Sequence, residues 1–91
     1  MTANIDQARA VLRWRARRGM LENDLIITAF LDENETKLSD AEVMALHHLF
    51  KIDDNELLDI LLSRSEPSGE FDTPEIHALV RQLRAQNTTS I

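Results

Sequence analysis

The chain has 91 residues, of which 43% are hydrophobic and 29% charged, with a formal net charge of −6 and no cysteine. So short a chain buries only a modest core, which predicts one small domain without an enclosed active site. The lack of cysteine excludes disulfides and thiol chemistry, and the longest apolar run, Leu25 to Leu31, is far shorter than the roughly 20 residues of a membrane-spanning helix. We therefore expect a single helical domain over residues 1–91, with a core over about residues 5–85.

The first predicted helix runs from about Asn4 to Arg17. Its expected buried residues are Ile5, Ala8, Leu12 and Ala16. Trp14 lies off this stripe and one turn before Arg18, so an indole ring and a guanidinium are neighbours on the other side of the helix. Such a pair is typical of an interface anchor, and equally of a self-contained cation–π contact at the edge of the core.

Charge is divided unevenly along the chain. Met1 to Met20 carries five arginines against one aspartate, a net of +4, whereas the remainder has a net of −10. A basic end suits an acidic surface or a phosphate, but the acidic remainder would repel a nucleic-acid backbone. A small DNA-binding helical domain stays an alternative, although its arginines are spread around the helix and no recognition helix is evident.

A break between two helices is predicted at Gly19, because glycine adopts the positive φ that a sharp change of direction often needs. Its missing side chain would also let a partner's backbone come close. Arg18 and Glu22 flank this break. They are placed either to bind a partner, or to satisfy each other while complementing two helix dipoles.

The second predicted helix covers about Met20 to Glu33. Its run from Leu25 to Leu31 favours a β-strand in isolation, but the rest of the chain offers no partner strand. We therefore expect a central helix, apolar nearly all round because neighbours surround it. Glu22 and Asp24 stand in its first turn, where negative charge is favourable.

Capping signals mark the third and fourth predicted helices. Ser39 and Glu42 form a capping box, and Asp53 with Glu56 repeats the pattern. The hydrophobic staples that would accompany them are Leu38 with Val43 and Ile52 with Leu57. The pair Asp53-Asp54 thus has a structural explanation as N-cap and first-turn acid.

The fifth predicted helix begins at Thr73 as N-cap, with Pro74 at the first helical position. One face carries Ile76, Leu79, Val80 and Leu83 at helical spacing. We expect this helix to end near Ala85 and residues 86–91 to form a disordered tail. The predicted fold is all-α, a compact single-domain bundle of five short helices.

Catalytic and metal-binding patterns are absent from the sequence. His47 and His48 are adjacent and point to different helix faces, and His77 lies on another helix. His47 is expected to be a partly buried core residue. Glu22 and Asp24, about 200° apart around a helix, cannot converge on one substrate atom. The sequence predicts a binding protein that is not an enzyme and holds no metal or cofactor.

A longer pattern surrounds the Gly19 break. It reads W-x-x-R-R-G-M-x-E-x-D and is formed by Trp14, Arg17, Arg18, Gly19, Met20, Glu22 and Asp24. At further fixed distances follow Leu38-Ser39-Asp40, Glu42, Leu49, Asp53-Asp54 and Leu57. Together these resemble the RGxxE segment and the downstream positions of the SdhE-like succinate dehydrogenase flavinylation factors. The resemblance covers roughly Arg13 to Leu61 and departs from the family at Asn55 and Ile60, where proline and an aromatic residue are expected.

The resemblance implies an assembly chaperone that binds the flavoprotein subunit of succinate dehydrogenase and promotes its covalent FAD attachment, with the flavoprotein of fumarate reductase as a second expected client. FAD then belongs to the client, and whether this chain contacts it directly stays open. Carried over residue by residue, the contact would comprise Arg18, Gly19 and Glu22, with Asp24, Arg17 and Trp14 beside it. A cytoplasmic monomer without membrane insertion is expected. A regulatory protein-binding module of antitoxin type, using the same surface, is the alternative.

Overall fold

In a computed structural model, residues 5–17 and 19–89 are described, with side chains through residue 86. The helices are α1 (Ile5–Ala10), α2 (Leu12–Ala16), α3 (Leu21–Asn34), α4 (Asp40–Leu49), α5 (Asp54–Leu61) and α6 (Pro74–Thr89), with a 3-10 turn at Gly69–Phe71. The described part of the chain contains no strand. The prediction of an all-α fold is confirmed.

The first predicted helix is in fact two helices, which makes six in the described residues where five were expected. The break lies at Val11, whose φ of −95° and ψ of 3° depart from helical geometry. The valine is β-branched, which disfavours helical backbone, although its N–H still donates to the Gln7 carbonyl at 3.1 Å. Leu12 and Ala16 of α2 are buried as predicted, while Ile5 and Ala8 of α1 are partly buried against the core.

Helix α6 packs against α3, α4 and α5 and completes the core. Its predicted apolar face is confirmed, since four of its side chains are almost wholly buried: Ile76, Leu79, Val80 and Leu83. The helix continues to Thr89, so the predicted end near Ala85 and the tail from Gln86 were placed too early. No glycine or proline interrupts this stretch. The Gln86 side chain also donates to the Glu33 carboxylate at 3.3 Å, which attaches this turn to α3.

The run that favours a strand in isolation is helical, and α3 contacts α2, α5 and α6. The expectation that neighbours surround it was wrong. Ile27 and Phe30 are fully buried, but Leu21 and Leu25 leave 67% and 61% of their surfaces exposed. The helix is apolar on both sides, and its neighbours cover only one of them.

The predicted caps hold the helix starts in place. Ser39 Oγ accepts from the Glu42 N–H at 3.1 Å, and the Glu42 carboxylate accepts from the Ser39 N–H at 2.8 Å, so this capping box is complete. Asp53 accepts from the Glu56 N–H at 3.0 Å, without the reciprocal bond. Thr73 Oγ1 accepts from the N–H two residues after Pro74, at 3.2 Å.

Candidate functional site

The break between α2 and α3 is built by backbone conformation. Arg17 is extended, with φ −77° and ψ 110°, and its N–H donates to the Trp14 carbonyl at 3.3 Å. Gly19 has a φ of +92°, and Met20 returns to extended geometry before α3 begins at Leu21. A Cβ at Gly19 would meet no atom within 4 Å, so the backbone angle favours glycine here and crowding plays no part. The predicted positive φ is confirmed.

The predicted site residues divide by exposure. Arg17 and Glu22 are exposed and Asp24 is half-buried in the first turn of α3. Trp14 has 75% of its surface exposed, so its ring contributes little to covering the core. Arg18 lies outside the described residues, and so does its predicted pairing with Trp14 or Glu22.

Two of the N-terminal arginines make internal ion pairs. Arg13 donates through Nη2 to Asp32 at 2.8 Å and through Nε to Glu35 at 2.9 Å, which ties α2 to the C-terminal end of α3. Hydrogen bonds to Asp32 and then Glu35 raise the pKa of Arg13 above its usual value. Arg9 donates to the carboxylate of Asp40 at 2.9 Å. The ion pairs of Arg9 and Arg13 stabilise helix packing. The other described arginines of this region are Arg15 and Arg17, towards the end of α2.

One buried side chain near the break was missed by sequence reasoning. Asn23 is fully buried, and its Nδ2 donates to the carbonyl oxygen of Asp54 at 3.0 Å. Its Oδ1 has no hydrogen-bond partner among the described residues. Because Asp54 opens α5, this bond holds the N-terminus of α5 against that of α3. The sequence signal that could have indicated this burial is the position of Asn23 one turn before Ile26 and Ile27, on the apolar side of the helix.

A shallow cleft of about 600 Å³ lies between the N-termini of α3 and α5, and we call it the corner cleft. Its lining residues are Gly19, Met20, Leu21, Glu22, Asp53, Asp54 and Asn55. The structure therefore brings Gly19 and Glu22 together, as predicted, and adds the Asp53-Asp54 pair that sequence reasoning had treated as structural. Three carboxylates in the lining make the cleft acidic, and two helix N-termini offset part of that charge.

The part of the chain that the structure describes has neither a metal-binding cluster nor a helix that could span a membrane. No group of three or more metal-binding side chains occurs in residues 5–17 and 19–89. His47 is half-buried and donates to the Ala8 carbonyl at 2.8 Å, and His77 pairs with Asp72 at 2.7 Å. None of the described helices is both long enough and apolar enough to cross a bilayer. What the corner cleft offers chemically is hydrogen bonding and close backbone approach.

Comparisons with known proteins show what this chain is similar to. A family model described as the flavinator of succinate dehydrogenase matches residues 10–87. The FAD assembly factor SdhE of Ralstonia nicotianae is 53% identical over 77 residues, covering 85% of this chain and 81% of that protein. The factors of Photobacterium profundum and Yersinia pseudotuberculosis are 34% and 32% identical, over 91% and 87% of this chain and 90% and 85% of their own lengths. No solved structure matches significantly.

Proposed function

Because this chain belongs to the family of succinate dehydrogenase flavinators, we propose that it is an assembly factor that binds the flavoprotein subunit of succinate dehydrogenase and promotes its FAD attachment. The single observation that carries this proposal is the 53% identity to an FAD assembly factor over 85% of the chain. The family is one of assembly factors, and the protein is not an enzyme. The bond between FAD and protein then forms in the client, and this chain supplies binding energy.

We propose that the client docks at the corner cleft through Gly19 and Glu22, and that Arg18, which precedes Gly19 in the sequence, takes part in the contact. Glu22 supports this role because it is exposed, lines the cleft and stands in the first turn of α3, where the helix dipole favours its negative charge. Its carboxylate accepts hydrogen bonds from the client. Gly19 supports it because the space around its Cα is open, so a client backbone can approach closely.

The residues beside the cleft extend the proposed contact. Trp14 and Arg17 stand exposed at the end of α2, where an indole ring and a guanidinium suit an interface anchor. Asp24 lies in the same turn as Glu22 and adds negative charge. Binding promotes flavinylation if the factor prefers the client conformation in which FAD is placed to react, because a ligand shifts a population only through such a preference.

We further infer that the chain holds no cofactor of its own, FAD being carried by the client, and that it acts as a cytoplasmic monomer. A fumarate reductase flavoprotein, as a close chemical relative, is proposed as a second client. Nucleic acid is disfavoured as a partner on charge, because the net charge is −6 and both Arg9 and Arg13 are held in ion pairs.

The test is covalent flavin in the succinate dehydrogenase flavoprotein, measured by in-gel flavin fluorescence in cells lacking this protein. Complementation with the wild type should restore the signal, and Gly19→Arg should not. The matched control is Gly69→Arg, because Gly69 also has a positive φ, of +60°, and open space around its Cα. Both substitutions place a side chain at a positive φ, which costs on the order of 1–2 kcal/mol in backbone strain, and the melting temperature of each variant checks that it folds. Unchanged fluorescence in cells lacking the protein would refute the proposed function.

A further inference from the structure

An apolar groove lies between α3, α5 and the C-terminal part of α6. Its volume is about 670 Å³. The aliphatic residues that line it are Leu25, Ile26, Ala29, Leu58 and Leu62, and the polar ones are Glu22, Arg64 and Gln86. No residue of this groove other than Glu22 belongs to the site predicted from the sequence.

Two leucines on this side of α3 are unusually exposed for apolar side chains. Leu25 leaves 61% of its surface exposed at the groove, and Leu21, one turn earlier on the same face, leaves 67% exposed beside the corner cleft. Burying such a side chain stabilises a complex by roughly 1.5–3 kcal/mol before the entropy of association is subtracted. Two leucines in register along one helix therefore form a surface suited to covering by another apolar segment.

The groove is continuous with the corner cleft. Glu22 lines both, and the groove follows α3 from there to Ala29, a length of about 10 Å at 1.5 Å per residue. A partner seated at the corner cleft is thus within reach of the groove, because one turn of helix is enough to pass from one to the other.

The charges at the groove are placed at opposite ends. Glu22 stands at the N-terminus of α3, where Asn23 also holds the start of α5. Arg64 follows the C-terminus of α5, so it lies towards the far end, in an exposed and loose pair with Asp59 at 3.5 Å. A segment complementary to this groove carries apolar side chains between a basic group facing Glu22 and an acidic group facing Arg64.

We propose that this groove binds an amphipathic segment of the same flavoprotein that the corner cleft binds, with Leu25 as its principal apolar contact. The inference rests on the proposed function and adds a second, apolar half to the client interface. The continuity through Glu22 favours the client over a second copy of this chain, and the opposed end charges favour a protein segment over a small apolar molecule.

The test is the affinity of the purified FAD-loaded flavoprotein subunit for the wild type and for Leu25→Gln, measured by titration calorimetry. Glutamine has a helix propensity close to that of leucine, and the exposed position tolerates it. We expect Leu25→Gln to raise the Kd about tenfold, as replacement of an interface anchor does. The matched control is Met44→Gln on α4, because Met44 is also an exposed large apolar residue, at 44%, and should change the Kd less than about twofold.

The outcomes separate this inference from the proposed function. If Leu25→Gln binds with wild-type affinity while Gly19→Arg does not bind, the proposed binding at the groove is refuted and the proposed function is unaffected. No binding by the wild type would overturn both. If sedimentation shows a wild-type dimer that Leu25→Gln dissociates, the groove is a self-interface and the inference fails. Should Leu25→Gln lower the melting temperature, Leu25→Ala, which retains helix propensity, takes its place.

Discussion

Replacing Asn23 by aspartate tests how the corner cleft is held together. The wild-type amide donates to the Asp54 carbonyl at 3.0 Å, and the whole residue is buried. A carboxylate at this position would place two acceptors against each other and bury a charge without a partner. Loss of the hydrogen bond costs about 1 kcal/mol, and the unpaired charge adds about 3 kcal/mol. The positive end of the α3 dipole offsets about 1 kcal/mol, so we expect a net loss of about 3 kcal/mol at pH 7.

The assay is thermal unfolding followed by circular dichroism, with Asn23→Ala as the reference variant. Each kcal/mol shifts the melting temperature of a domain this size by roughly 4–8 °C, so Asn23→Asp should melt more than about 12 °C below the wild type. Asn23→Ala loses the hydrogen bond but introduces no buried charge, so we expect its free energy of unfolding to fall by about 1–2 kcal/mol. An aspartate variant as stable as the alanine variant would refute the reasoning.

The pH dependence of the same variant supplies a second check. Burial raises the pKa of the introduced carboxyl in the folded state above its unfolded value of about 3.9. The destabilisation is therefore complete above the folded-state pKa and fades as pH falls towards the unfolded one. A protonated aspartate can also donate to the Asp54 carbonyl. The gap between Asn23→Asp and the wild type should narrow between about pH 6 and pH 4, and a constant gap would contradict burial of the charge.

Two further predictions concern stability alone. Ser39→Ala removes the complete capping box with Glu42 and should lower the free energy of unfolding by about 1 kcal/mol in urea titrations, and no change would mean that the box is not formed in solution. Leu46→Ala, at a fully buried position, should cost about 2–5 kcal/mol, whereas Leu21→Ala, largely exposed, should cost less than about 0.5 kcal/mol. Similar losses at both positions would contradict the assignment of the α3 face to solvent.

Local chemistry explains what the sequence predicts correctly. The cap at Ser39, the start at Thr73 and the break at Gly19 each depend on residues within a few positions of one another. The buried stripe of α6 follows from helical periodicity in the same way. Each of these features is set by backbone geometry and side-chain type, without knowledge of what packs nearby.

Long-range packing explains what the sequence does not reveal. The bond from Asn23 to Asp54 joins residues 31 positions apart, so the local pattern that places Asn23 on the apolar side of α3 does not indicate its partner. The exposure of Leu25 depends on where α5 and α6 lie against α3, whereas the sequence indicates only that this helix is apolar on both sides. The position of Asp53-Asp54 at the corner cleft is missed for the same reason, because a local cap gives no sign of the cleft it borders.

The two halves of the proposed interface have different tasks. To move a client from 1% to 99% of its reactive conformation, a factor must bind that conformation about 10⁴-fold more tightly. An apolar groove binds an exposed amphipathic segment whatever the conformation of the rest of the client. It therefore contributes affinity to both the reactive and the unreactive conformation. The proposed directional contacts at Gly19 and Glu22 would discriminate between the two conformations, because they form only when the client backbone is correctly placed. Groove variants should therefore be rescued by raising the concentration of the factor, and corner variants should not.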